Sequence, residues 1–234
     1  MQRNPLTATN TARNETPLAG QVAALRRDSD GQPPPAVAAA FSAEQAALLA
    51  VGVPEGVAAV GTAMPDGALL DTDGRPTTLA RARGGRPAVV VFYRGAWCPY
   101  CNLALRTYQG TLAPELAARG IALLAVSPQK PDGPLSMAEK HALIHAVPSD
   151  PGNQIAGQRG ILTAPSEDAR AAQASLGVDI AAVNADGTRA VPLPTVAIVD
   201  TAGMIRWIDV HPDYTTRTDP DATSAALDAT SGRG

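Results

Sequence analysis

Two side chains in this sequence are suited to covalent redox chemistry. Cys98 and Cys101 are the only cysteines among 234 residues, and they sit three apart in Trp97-Cys98-Pro99-Tyr100-Cys101. The thiolate is the reactive form of cysteine, and a helix N-terminus favours it through unpaired backbone N–H groups and the helix dipole. The preceding run, Ala88 to Tyr93, is apolar, β-branched and aromatic, which predicts a buried strand. After it, Leu105, Tyr108 and Leu112 recur at helical spacing. Pro99 suits the first helical position, where its missing N–H costs nothing. The pattern therefore places Cys98 at the cap as the accessible, attacking thiol. Cys101 follows one turn later as the buried thiol that closes a disulfide. Arg94 stands four residues upstream of Cys98 and can add positive charge there.

Other uses of the pair are weaker. A C-x2-C pair also begins many zinc sites, and His141 and His145 supply a nominal H-x3-H. The 39 intervening residues far exceed the usual ~12–15 of such sites. Neither a metal nor a cofactor is implied. Two buried structural cysteines are a further alternative, but a C-x-x-C after a strand in a βαβ pattern favours redox use.

The elements around the pair alternate. Residues 17–27 form a short helix, three prolines at 33–35 break it, and Ser42-Ala43-Glu44-Gln45 resembles a capping box opening a helix to Leu49. Leu69-Leu70 and the turn Asp71–Arg75 follow. Next come a strand over 88–93, a helix over 98–119 interrupted by Pro114, and a strand over 121–126. Ser136–Glu139 is a second capping box. Asp150-Pro151-Gly152 turns into a segment around Ile155, and Ser166 opens a helix through Ser175. A hairpin of Thr195–Asp200 and Met204–Val210 precedes a last helix over 222–227. The expectation is an α/β fold with a mixed central sheet flanked by helices. It divides into a partly disordered N-terminal helical extension (1–58), a main domain (59–229) and a flexible tail (230–234).

A net charge of -3 gives no argument for a nucleic-acid partner. No apolar run approaches the ~20 residues of a membrane span, and the first residues lack the apolar core of a secretory signal. The cytoplasm is the expected compartment, where paired thiols serve catalysis more often than stapling. The oligomeric state is left open.

Several stretches resemble the peroxiredoxin-like branch of the thioredoxin superfamily, the alkyl hydroperoxide reductase and thiol-specific antioxidant relatives. They are Val60–Asp66, Phe92–Leu103, Ser127-Pro128-Gln129, Ser149–Asn153 and Asp209–Tyr214. The resemblance covers about residues 15–228, with Phe92–Leu103 its specific part. It implies a thioredoxin-like fold and a thiol-dependent peroxidase. Two departures stand out. Typical members carry a proline seven residues, and Thr or Ser three residues, before the peroxidatic cysteine; counted from Cys98 these positions hold Val91 and Gly95. They also carry an arginine six residues before the Asp that ends a later strand; here that Asp is Asp200 and the residue is Pro194. Leu193-Pro194-Thr195 instead resembles the thioredoxin cis-proline loop, so a cis Leu193–Pro194 bond facing Cys98 is expected.

Two functions share this cysteine chemistry. In one, Cys98 reduces hydrogen peroxide or an organic hydroperoxide, Cys101 resolves the sulfenic acid, and thioredoxin or a similar donor restores both thiols. In the other, the pair exchanges disulfides with protein or glutathione. A non-enzymatic redox sensor is a third. Trp97 and Tyr100 can form an aromatic rim beside the pair. His211 is a candidate proton donor, although a solvated loop histidine is the simpler reading.

Overall fold

The computed structural model describes residues 17–27, 33–131 and 146–231. Its centre is a four-stranded sheet of β3 (Ala88–Phe92), β4 (Ala122–Val126), β7 (Thr195–Val199) and β8 (Ile205–Val210), in the order β4-β3-β7-β8. β3 and β4 are parallel, joined through two helices, α4 (Pro99–Gly110) and α5 (Leu112–Ala118). β7 runs antiparallel to β3 and to β8. Every residue of β3, β4 and β7 is buried, so both faces of the sheet are covered.

Side chains alternate between the faces with the strand period of two. Val89, Val91, Leu123, Ala125, Val196 and Ile198 meet Leu105, Tyr108, Leu112 and both cysteines on one side. Val90, Phe92, Leu124, Val126, Ala197 and Val199 meet Leu69, Leu79, Ile155 and Ile161 on the other. The second face is built by the hairpin β1 (Ala68–Leu70) and β2 (Pro76–Thr78), then α3 (Leu79–Arg83), and by α6 (Gln154–Gln158). Asp150 opens α6: its carboxylate accepts from the backbone N–H groups of Gln154 and Ile155.

The helix after the cysteines breaks at Thr111 (φ -115, ψ -59), three residues before Pro114. The proline ring cannot coexist with the helical carbonyl four residues earlier, at Gly110, so the chain restarts as α5. Upstream, α1 (Leu18–Arg27) and α2 (Pro35–Val51) form the N-terminal segment. α2 begins at Pro35 rather than at the expected capping box, and Ser42 lies inside it. A proline at the first helical position starts a helix instead of preventing one. The short β5 (Leu162–Thr163), α8 (Ile180–Val183) and β6 (Val191–Pro192) have too little periodicity to be read in sequence. Between them, α7 (Glu167–Ser175) is capped by Ser166, whose hydroxyl accepts from the Ala169 N–H. The last helix, α9 (Pro220–Ser231), is longer than expected. The Ser136–Glu139 box and the histidines His141 and His145 lie outside the described residues. Among the described residues no helix is long and apolar enough to cross a membrane.

Candidate active site

The two cysteines enter from the end of β3 through a constrained turn. Tyr93 continues the strand, its N–H donating to the Val126 carbonyl at 3.0 Å. Gly95 has φ +145, and a Cβ there would lie 2.4 Å from Trp97 Nε1. Only glycine fits this position. The family's usual hydroxyl-bearing residue, counted from Cys98, is therefore excluded by the turn itself. The Gln129 carboxamide accepts from the Ala96 N–H at 2.7 Å, and Asn102 Nδ2 donates to the Ala96 carbonyl at 2.8 Å. Cys98 then sits at the cap of α4 in an extended conformation (φ -89, ψ 114), with Pro99 at the first helical position. Its carbonyl accepts from the N–H groups of Cys101 and Asn102, each at 3.1 Å.

Both cysteines are free thiols, and both are buried: Cys98 is 1% exposed and Cys101 0%. The expected accessible Cys98 is thus overturned. Two segments distant in sequence cover the pair. α1 brings Leu18 and Val22 into the same apolar cluster as the sulfurs, and the loop after β8 crosses above them. The loop and α1 are tied together: the Leu18 N–H donates to Asp219 at 3.1 Å, and Arg26 reaches Thr215.

That loop carries Arg217, which the sequence reading missed. Its Nη2 donates to Cys101 Sγ at 3.0 Å and lies 3.7 Å from Cys98 Sγ. Its Nη1 donates to the carbonyls of Tyr214 and Thr216. A network under the loop fixes this placement. The His211 Nε2–H donates to the Asp209 carboxylate at 3.0 Å, and Nδ1 lies 2.7 Å from Thr216 Oγ1. Thr218 also donates to Asp209, while its carbonyl accepts from the Tyr108 hydroxyl at 2.6 Å. The last stretch that carried the resemblance ended at Tyr214, three residues short of Arg217. Nothing local marks an arginine that lies 116 residues after its partner thiol.

The charges sort the two thiols against the sequence expectation. Burial opposes a thiolate at Cys101, but the Cys98 S–H, the Arg217 guanidinium and the Arg94 backbone N–H outweigh it and hold Cys101 well below the ordinary thiol range. Cys98 is pushed well above that range, first by its hydrogen bond to Cys101 and then by burial. The two thiols therefore share one proton and titrate as a pair, with the Arg217 guanidinium nearer to Cys101 Sγ. Burial works against the Arg217 charge, yet the two sulfurs more than compensate and raise its pKa.

Arg94 supplies the nearby positive charge expected, which favours the thiolate form of both cysteines, and it also stacks on aromatic rings. Its side chain is buried between two rings, 4.0 Å from the Tyr214 centroid and 5.0 Å from that of Trp97. Tyr214 is held in turn by Gln45 and the Phe41 carbonyl of α2, and its hydroxyl pKa is pushed up to about 12, mainly by burial. Trp97 and Tyr100 are half-buried beside the pair, and Pro99 is exposed.

Pro194 and Thr195 line a cavity of ≈ 10 Å³ with Cys101, Tyr108 and Arg217. This is room for about one water-sized molecule. Among the described residues there is no cis peptide bond, so the expected cis Leu193–Pro194 bond is overturned. The Pro194 carbonyl accepts from the His211 N–H at 2.9 Å, extending the β7–β8 ladder by one rung. The Thr195 hydroxyl turns back to the Leu193 carbonyl at 2.9 Å.

With the site in view, the comparisons with known proteins can be placed. The AhpC/TSA family model matches residues 60–208, more than half of the chain and including both cysteines. The chain belongs to the AhpC/TSA family. Membership makes it a peroxiredoxin-like protein of the thioredoxin superfamily and supports a thiol peroxidase activity. No curated protein matches it. Solved structures match in fold. The peroxidoxin BcpB of Mycobacterium tuberculosis is 18% identical with a TM-score of 0.54, covering 75% of this chain and 97% of that one. Reduced Prx3 of Vibrio vulnificus is 16% identical with a TM-score of 0.58, covering 74% and 99%. The AhpC of Mycobacterium tuberculosis is 18% identical with a TM-score of 0.55, covering 75% and 94%. These likenesses show the fold; the Trp-Cys-Pro-Tyr-Cys arrangement and Arg217 are read from this chain alone.

Proposed function

We propose that this chain reduces hydrogen peroxide or a small organic hydroperoxide by cycling Cys98 and Cys101 between dithiol and disulfide. A thioredoxin-like dithiol or glutathione then returns the disulfide to two thiols. The observation that carries the reading is the Arg217 guanidinium, held on both sulfurs beside a water-sized cavity. A fixed cation at that point stabilises the attacking thiolate and the negative charge that develops on the leaving oxygen. The cavity admits a peroxide oxygen and little more.

Two observations weigh against a general protein disulfide oxidoreductase. Both sulfurs are buried in the dithiol state, from which attack on a protein disulfide would have to start, whereas recycling by a dithiol starts from the disulfide state. The loop offers no open backbone edge to a partner: the Leu193 N–H donates to the Ile161 carbonyl, and the Leu193 and Pro194 carbonyls accept from Thr195 and His211. The family match points the same way.

The test is direct. Reduced protein is mixed with hydrogen peroxide in a stopped-flow instrument, and disulfide is counted by mass. One peroxide consumed per two thiols, much faster than by free cysteine, is expected, with slow insulin reduction in parallel. Oxidation no faster than that of free cysteine, together with rapid insulin reduction, would replace this reading with the disulfide exchanger.

A further inference from the structure

The arrangement of donors around the sulfurs bears on which thiol acts first. A helix N-terminus favours whichever group points at its free N–H groups, and the Cys98 side chain makes no such cap contact. The donors converge one turn later. Arg217 Nη2 stands 3.0 Å from Cys101 Sγ and 3.7 Å from Cys98 Sγ. The Arg94 backbone N–H also reaches Cys101. Cys98 itself hydrogen-bonds to Cys101. The cavity beside Arg217 is lined by Cys101, with Tyr108, Pro194 and Thr195 around it, and Cys98 takes no part in its wall.

We propose that Cys101 is the thiolate that attacks peroxide, and that Cys98 serves first as its hydrogen-bond donor and then as the resolving thiol. The assignment rests on the peroxidase reading above and reverses the order suggested by position alone. In the first step the Cys101 sulfur attacks the terminal oxygen of ROOH. An S–O bond forms, the O–O bond breaks, and sulfur gives two electrons to become a sulfenic acid. The leaving alkoxide or hydroxide takes the proton from the Cys98 S–H and departs as ROH. Cys98, now a thiolate, attacks the Cys101 sulfur. The S–S bond forms, the S–O bond breaks, and the hydroxide takes a proton from solvent to leave as water. One peroxide and two thiol groups thus become a disulfide, ROH and water. Arg217 stays protonated throughout and faces the negative charge at each stage.

The reduced Cys98→Ser and Cys101→Ser chains, each verified as folded by circular dichroism, are mixed with hydrogen peroxide and then with dimedone. The serine at 98 retains a hydroxyl donor. That chain should consume peroxide within about tenfold of the wild-type rate, the worth of one hydrogen bond, and carry dimedone on Cys101. The Cys101→Ser chain should react no faster than free cysteine. Dimedone on Cys98 in the Cys101→Ser chain, formed at the wild-type rate, would overturn the assignment. A second readout needs neither peroxide nor a variant: the reduced wild-type chain is alkylated with iodoacetamide over a pH series and the labelled residue mapped by mass. First labelling at Cys101 in the acid range supports the assignment, and first labelling at Cys98 overturns it. A wild-type chain that ignores peroxide but labels at Cys101 removes the peroxidase reading and leaves the thiolate order standing.

Discussion

The two faces of the central sheet are equally buried and differ in what covers them. On the Ile155 face, the hairpin, α3 and α6 supply side chains that only pack. On the cysteine face, α4 and α5 are joined by α1 and by the segment running from His211 into α9, and the cover includes the two sulfurs themselves. The first face contributes stability. The second contributes stability and chemistry through the same contacts, because the dry environment that packs Cys98 and Cys101 also strengthens the attraction between Arg217 and the shared thiolate. A core can thus be a reaction centre when one cation enters it with its counter-charge.

The largest effect should come from removing that cation. Arg217→Met keeps the length of the side chain and loses its charge, and the rate with peroxide should fall by roughly 10²–10³-fold. The pH profile tells whether charge is responsible. Because the Cys101 pKa is lowered on folding, the native rate should hold through neutral pH and decline only as acid protonates Cys101. In Arg217→Met the decline should begin at higher pH. A profile unchanged by the substitution would detach Arg217 from the thiolate.

Next in size is a change on the packing face. Ile155→Ala deletes fully buried methylenes and should cost about 2–5 kcal/mol in denaturant unfolding, while activity per folded molecule stays at the wild-type level. A loss of activity in the folded variant would erase the contrast between the two faces.

Leu18→Ala acts on the cover. Leu18 is 1% exposed in the cluster that holds the sulfurs. It should cost about 2–3 kcal/mol and speed alkylation of the thiols, since α1 undocks more often. Alkylation at the wild-type rate would mean that α1 does not control access.

His211→Asn should have the smallest effect, about fivefold in rate, near the worth of one hydrogen bond. His211 holds the loop rather than the substrate, so the onset of the acid decline should move upward with Arg217 displaced. A loss of stability with that onset unmoved would reduce His211 to a structural role.

Much of this was legible in the sequence. The strand before the cysteines, the break near Pro114, the hairpin after Pro194 and the helix at Ser166 follow from periodicity, proline and capping rules that act within a few residues. The cysteine pair was legible for the same reason. The proposed order of the two thiols was not, because it rests on Arg217, which reaches them across 116 residues. One signal was present. Counting the family's spacing from Cys101 instead of Cys98 puts the hydroxyl position on Cys98 and the proline position on Arg94. The trans Pro194 bond was missed because the cis expectation came from the resemblance of Leu193-Pro194-Thr195 to another loop, not from any local signal in these residues.

The cover also sets an order of assembly. The contact between Leu18 and Asp219 joins positions 201 residues apart, and it forms only when nearly the whole chain is available. During synthesis β3, β4 and both cysteines emerge well before Arg217. Until that residue arrives, the thiols lack their cation and titrate in the ordinary range, a state that alkylation of stalled nascent chains would detect. The growing chain therefore carries both sulfurs without their cation across the 116 residues that separate Cys101 from Arg217, and on the proposed reading its capacity to react with an oxidant arises only when that tertiary contact forms.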